Sequence, residues 1–412
     1  MPLRRVAPYS MLTAYDSSQP SRRAITPLVD AQPCGQPAAL PLAPPVPAQC
    51  QLTTADGDSW VAGPHGAARW HAGEWRVFSG RRWLPDDRVL SLHQHEAGVA
   101  VETAAGWVAI EHSAWSLSAK ARHYEQLTDA RHCRHGFVTG CGLTEPGSLD
   151  SWYHHIDDND GLWTAMYVAA QAFRYGVTGE SDARDKARAG MNALLMLETV
   201  TPISGFPARA VTRCDEAEYG AHPDGEWHAA DDGVWEWKGD TSSDELDGHY
   251  FVWPVYHALV ADARERHLIE ATVRRVTDHL LDHGLYLCDL DGQPTRWGVW
   301  APERLNDDPR WRAERGLNSL EMLAYLRVAE SLTGEPRYRQ AARELVDDHH
   351  YALNTIEQKV MPGDFDGAED NHSDDELAFL SYYPLLALED DPRRRAVYLA
   401  SLERSWQIER PE

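Results

Sequence analysis

Three short runs concentrate the side chains able to move protons. HHIDDNDGLW holds His154, His155, Asp157, Asp158 and Asp160; DTSSDELDGHYF holds Asp240, Asp244, Glu245, Asp247 and His249; DNHSDDELAF holds Asp370, His372, Asp374, Asp375 and Glu376. Each run stands immediately before or at the start of a helical pattern. Carboxyl groups that meet in one cleft can serve as general acid and general base when their surroundings push their pKa values apart. A local reading competes. Ser242 with Glu245, and Ser373 with Glu376, have the spacing of a capping box, and acidic first turns complement the helix dipole. Capping covers Glu245 and Glu376, and part of Asp244 and Asp375. It does not cover His249 or His372, nor the crowding of Asp157, Asp158 and Asp160, where like charges repel. For a single Asp the capping role carries more weight; for the three runs together a functional cleft does.

Aromatic residues supply a second line. Of the sixteen tryptophans, Trp227, Trp235, Trp237, Trp297, Trp300 and Trp311 fall in connections between helical stretches. Core packing is the usual place for Trp, but beside carboxylates its flat face can stack on a sugar ring while the N–H finds a polar partner. Trp163, Tyr167, Tyr250, Trp297 and Trp300 are the candidate substrate-binding aromatics. Arg209, in GFPARAV, and Arg296, in TRWGVWAPE, could bind a substrate carboxylate in bidentate fashion, or pair with the abundant Asp and Glu. No ligand spacing among His154, His155, His249 and His372 is diagnostic of a metal, and His279 and His283 lack a third ligand. Neither a metal nor a cofactor is expected. G-x-S-x-G is absent, as is a Gly-rich phosphate loop.

These residues must be positioned by a scaffold, and the scaffold repeats. GLWTAMYVAAQAFRYGVTGE (Gly161–Glu180) and GLNSLEMLAYLRVAESLTGE (Gly316–Glu335) align without a gap at an offset of 155. Both open on Gly-Leu and close on Thr-Gly-Glu, which puts Gly just past a helix end, where a left-handed residue is needed. Ser181 and Pro336 then start a second helix. Each copy therefore reads as a helix–turn–helix hairpin. The helical pattern runs from Ala114 onward, with nine candidate helices separated by long Gly- and Trp-rich connections. It suggests an (α/α) toroid. Nine helices fall short of the twelve of a closed six-hairpin barrel, so we expect the toroid to be incomplete or the chain, 114–412 in this part, to be truncated.

Ahead of the helices, residues 57–113 carry short β-prone runs broken by Gly, with Gly66 and Gly106 in corresponding places at an offset of 40. A period near 40 residues is the size of a propeller blade, although one and a half blades cannot close a ring. A small β cap is expected. Residues 1–56, rich in Pro and Ala, read as a disordered or linker-like start. No apolar core of signal-peptide length follows Arg4 and Arg5. The balance of 39 Lys+Arg against 64 Asp+Glu leaves a formal charge of −25, which repels phosphate backbones and argues against nucleic acid. No apolar run reaches membrane-spanning length. Compartment and oligomeric state have no signature here.

The hairpin repeat, Trp-rich connections and acidic helix starts resemble the six-hairpin glycosidase superfamily of (α/α) toroids, which includes glycoside hydrolases, unsaturated uronyl hydrolases, and toroid-type lyases and epimerases. More locally, DNDGLWTAMY, DTSSDELDGHYF, RGLNSLEML and HSDDELAFL look like the run of motifs in bacterial proteins that join regulator-propeller-like repeats to such a domain, a group with no settled activity. The resemblance implies an oligosaccharide or polysaccharide substrate and fixes architecture better than chemistry. We expect hydrolysis of a glycosidic bond. The acid/base pair would come from Asp158 or Asp160 with Asp244 or Asp375, and His249 and His372 would orient or shuttle protons. A uronate lyase or epimerase follows instead if Arg209 and Arg296 face the cleft. A non-catalytic sugar-binding or sensor module is the alternative of another class.

Overall fold

The computed structural model describes residues 17–24, 43–95, 98–156, 158–216, 226–359 and 373–408. The chain separates into two units, one of Tyr9–Asp129 with Gly142–Tyr153, the other chiefly Ala130–Cys141 and His154–Glu412. Asp157, Asp370 and His372 lie outside the described residues.

The first unit is built from β1 (Ser17–Ala24), β2 (Cys50–Thr53), β3 (Ser59–Gly63), β4 (Gly66–His71), β5 (Glu74–Phe78), β6 (Val89–His95), β7 (Gly98–Thr103) and β8 (Gly106–Trp115), followed by helix α1 (Leu117–Arg131). They form two four-stranded antiparallel sheets, β2-β3-β4-β5 and β1-β8-β7-β6. The offset of 40 has a structural meaning: Gly66 and Gly106 each begin the second strand of a tight hairpin, at φ +113° and +140°, which only Gly adopts without strain. Alternation of side chains along the strands sends Trp60, Ala62 and Phe78 of one sheet, and Leu92, Val99, Val101, Val108 and Ile110 of the other, into one core.

The second unit is helical: α2 (Asp160–Thr178), α3 (Ser181–Thr199), α4 (Ser243–Leu259), α5 (Ala263–Asp282), the short α6 (Pro302–Leu305), α7 (Arg315–Thr333), α8 (Pro336–Asp347), the short α9 (Tyr351–Asn354), α10 (Ser373–Leu388) and α11 (Pro392–Ile408). Four hairpins result among the described residues: α2–α3, α4–α5, α7–α8 and α10–α11. Their first helices pack on one another, α2 on α4, α4 on α10 and α7, and α7 on α10. α7 is apolar nearly all round, from Leu317 through Leu326, and is correspondingly buried on every side. α8 instead buries a stripe of Tyr338, Ala342 and Leu345 and turns its arginines outward.

The expected toroid is not what the chain forms. No complete ring of hairpins is present among the described residues, and about 49% of the chain is helical with 21% in several small antiparallel sheets. The Trp-rich connections account for part of the difference. Val211–Arg213, Trp235–Lys238 and Trp227–Ala229 form a three-stranded ribbon, and Tyr286–Cys288 pairs with Pro294–Val299. Aromatic and β-branched residues in these stretches suit a pleated ribbon.

The repeated Gly-Leu…Thr-Gly-Glu segment is α2 and α7. Gly179 and Gly334, both at φ +72°, form the left-handed C-caps, with N–H groups bonded to Tyr175 O and Glu330 O. The opening glycines are needed for close approach. A Cβ on Gly161 would lie 1.5 Å from Glu245 Oε1, and one on Gly316 would lie 2.2 Å from the backbone N of Gln358.

Candidate functional site

The starts of α2 and α4 are tied side by side by polar groups that caps would ordinarily use. Asn159, the N-cap residue of α2, makes no capping bond; its Nδ2 donates to Asp244 Oδ2 at 3.0 Å. Its Oδ1 accepts from Ser242 Oγ and from Arg209 Nη2, both at 3.1 Å. Ser242, the N-cap of α4, likewise makes no capping bond, so the capping box expected of Ser242 and Glu245 is not formed. Glu245 turns into the space left by Gly161, accepts from Leu162 N at 3.3 Å, and lies 3.4 Å from His249 Nε2. Arg209 is the hub. It donates to Asp158 O at 2.8 Å, Asp240 O at 3.1 Å, Asn159 and Ser242. Asp240 sits at φ +49°, a left-handed conformation held by Asp289 Oδ2 on its N–H and by the N–H of Arg296 on its own Oδ1. Strain of this kind persists only where neighbours fix it.

The starts of α7 and α10 are tied by a lysine. Lys359 Nζ donates to Glu314 Oε2, on the N-cap residue of α7, at 2.6 Å, and pairs with Asp374 Oδ2, in the first turn of α10, at 2.7 Å. Burial opposes its charge, but these two carboxylates hold Lys359 above its ordinary range. Asp374 in turn acts on Asp244. Burial raises Asp244 above the usual carboxyl range, Arg209 opposes this, and Asp374 adds to it. The starts of all four inner helices therefore share one electrostatic environment. Asp244, Asp374, Arg209 and Lys359 are half-buried there, with Asp158 exposed and paired to Lys238.

Beneath this layer lies a buried carboxyl pair. Asp247 of α4 and Glu321 of α7 are 1% and 0% exposed. Asp247 Oδ1 accepts from Ser381 Oγ at 2.6 Å, and Glu321 Oε2 accepts from Trp300 Nε1 at 2.8 Å. Asp247 Oδ2 and Glu321 Oε1 accept no hydrogen bond among the described residues. Burial drives both pKa values well above the carboxyl range, and Asp247 pushes Glu321 further. The same burial, with Glu321 beside it, raises Tyr325, which stacks on Tyr250 at 4.2 Å. Burial thus favours the protonated form at both positions.

The residues singled out in the sequence fall into four groups. Asp158, Asp244 and Arg209 meet at the convergent helix starts. Asp160, Asp375, His249, Tyr250 and Trp300 are buried within the fold. Asp160 lies 4.0 Å from Arg134, and His249 is enclosed with Glu245. Trp163 and Tyr167, on α2, are half-buried. Trp297 is 46% exposed on the ribbon that Arg296 joins to Asp240, and the guanidinium of Arg296 makes no bond among the described residues. Glu321, Lys359 and Glu314 were not among the candidates, and Asp374 stood in the third acidic run without being chosen for the acid/base pair. Of the three missed residues Glu321 carried a signal: an acid between Leu320 and Met322, in a largely apolar and buried helix, has to be buried.

No family model matches this sequence, and no curated protein does. Among solved structures, Bacteroides ovatus GH9 aligns over 80% of this chain and 70% of its own, with a TM-score of 0.30 and 12% sequence identity. At that level of likeness the chemistry of the site is read from its own residues.

Proposed function

We propose that this chain hydrolyses a glycosidic bond at the convergent starts of α2, α4, α7 and α10. Asp244 acts as general acid and Asp374 as its partner carboxylate. One observation carries the reading: two half-buried carboxyl groups share a site but have opposite environments. Asp244 is pushed toward its protonated form by burial and by Asp374, while Asp374 is held in an ion pair by Lys359. A carboxyl group biased toward its protonated form beside an ion-paired carboxylate supplies an acid and a base for one reaction. A sugar is the substrate that suits the exposed indole of Trp297, on the ribbon joined to the same hub through Asp240. Arg209 has its donors engaged within the protein, which favours neutral sugars over uronates.

The test is turnover of a panel of neutral and uronate-containing oligosaccharides, read by new reducing ends and by absorbance of unsaturated products. Cleavage of a neutral member, lowered about 10²–10⁴-fold in Asp244→Asn with no loss of folding, is the expected result. Unsaturated products would point to a lyase. Sugar binding without turnover would leave a binding module. Undiminished turnover in Asp244→Asn would sink the assignment of the acid.

A further inference from the structure

The buried pair of Asp247 and Glu321 takes no part in the proposed chemistry, yet its surroundings leave it with one defined need. α4 and α7 pack against each other, and both start at the convergent end. Tyr250 of α4 and Tyr325 of α7 stack with ring centroids 4.2 Å apart and planes 11° from parallel, which fixes the register of the two helices. Asp247 precedes Tyr250 by three residues and Glu321 precedes Tyr325 by four. Each carboxyl therefore stands one turn nearer its helix start, on the face its tyrosine marks. The two acids meet there.

One oxygen of each is already used. Ser381 Oγ donates to Asp247 Oδ1, and Trp300 Nε1 donates to Glu321 Oε2. Asp247 Oδ2 and Glu321 Oε1 are enclosed and receive no hydrogen bond among the described residues. The neighbours have no donor to spare. Tyr250 Oη is engaged with Thr277 Oγ1, and Tyr325 Oη lies 3.4 Å from Ser243 O. The other charged groups acting on the pair, Asp244 and Asp374, are acids themselves. Two ionised carboxylates in such a space repel without compensation. A single proton between the two orphaned oxygens completes both, in a charge-assisted O–H···O bond.

We infer that Asp247 and Glu321 share one proton, held between Asp247 Oδ2 and Glu321 Oε1, and that this proton latches α4 to α7 beneath Asp244. The pair then carries one negative charge instead of two, one turn below Asp244 on the same face of α4. Around Asp244 itself stand Arg209, Asn159, Ser243 and Asp374, to which the pair adds a fixed charge. Asp247 and Glu321 are thus positioning residues. The latch belongs to the fold; its bearing on catalysis rests on the proposed role of Asp244.

Infrared spectra of the full-length protein at neutral pH, in ordinary and heavy water, read protonated carboxyl groups by their C=O stretch. Glu321→Gln and Asp247→Asn should each remove the same single carboxylic band, because in either variant an amide N–H donates where the proton stood. D247N/E321Q should remove no more than either alone, and the band should persist in Asp244→Asn. Loss of different bands in the two single variants, summed in the double, would mean two separately protonated acids and overturn the proposal. So would single variants that keep every carboxylic band. The side-chain carboxyl resonance of Asp244, assigned with Asp244→Asn in isotope-labelled protein, is the second readout. Each single variant keeps one charge below Asp244 and should leave its titration midpoint in place. The double variant removes that charge and should lower the midpoint by about one to two pH units. A midpoint unmoved in the double variant would overturn the link to Asp244. Neither measurement uses turnover, so a protein without glycosidase activity would refute the assigned reaction and leave the latch standing.

Discussion

Replacing Glu321 by Gln probes the buried carboxyl pair beneath the site. Glu321 and Asp247 each accept one hydrogen bond and each leave one oxygen without a partner among the described residues, so an anion at either position lacks most of its hydration. Burial therefore raises both pKa values well above the ordinary carboxyl range. An acid whose pKa is higher folded than unfolded binds more protons in the folded state between the two values. Its contribution is fully present below the unfolded pKa and is lost as pH rises toward the folded one. Each proton taken up on folding gives a slope of about 1.4 kcal/mol per pH unit, so the pair gives up to about 2.7. The amide of Glu321→Gln keeps an oxygen for Trp300 Nε1 but takes up no proton. Its stability relative to the wild type should then grow with pH between the unfolded and the folded pKa of Glu321, by at most about 1.4 kcal/mol per unit. Urea denaturation followed by Trp fluorescence across that range measures it. Parallel stability–pH curves for the two proteins would refute the reasoning, as would a wild type that gains stability with rising pH in that window.

Other outcomes follow from the same structure. Because burial raises Asp244, wild-type turnover should fall as pH rises through its folded pKa, and the residual turnover of Asp244→Asn should lack that alkaline limb, as a pH–rate profile shows. Gly316→Ala forces a Cβ to 2.2–2.4 Å from backbone atoms of Gln358 and should destabilise by about 1–3 kcal/mol or more. Gly179→Ala meets open space but keeps φ at +72°, so about 1–2 kcal/mol is expected in denaturant melts. Asp262→Ala removes the cap of α5 and should lower the denaturation midpoint with no change in the pH profile of turnover.

What the sequence made legible was local. The Thr-Gly-Glu stops gave two hairpins with left-handed glycine caps, and Gly66 and Gly106 gave two matching β-hairpins, because a glycine at positive φ acts within a few residues. Long-range choices were hidden. Ser242 and Glu245 have the spacing of a capping box, yet Glu245 goes elsewhere because Gly161, on another helix, leaves a gap its carboxylate fills. Nothing within α4 announces that gap. The arrangement of the hairpins was hidden for the same reason: helix periodicity specifies which face is buried, and not how many neighbours are arrayed around it. Trp300 shows the limit for aromatics. It was a plausible platform beside carboxylates, and it is beside one, but enclosed and donating to Glu321.

The way the inner helix starts are linked bears on the proposed function. Among the outer helices, α5 starts with a full capping box, in which Asp262 accepts from Arg264 N and Glu265 N while Glu265 accepts from Asp262 N, whereas α3 and α8 make no side-chain cap bond at Glu180 and Glu335. On the inner helices α2, α4 and α7 the N-cap residues Asn159, Ser242 and Glu314 are of types able to accept such bonds, yet none does. Their side chains link one helix start to the next through Arg209 and Lys359. Forgoing a cap costs about 1 kcal/mol per helix, and Asp240 adds backbone strain at the same end. The polar groups are fixed relative to one another around Asp244 and Asp374, as the proposed reaction with two positioned carboxyl groups would require.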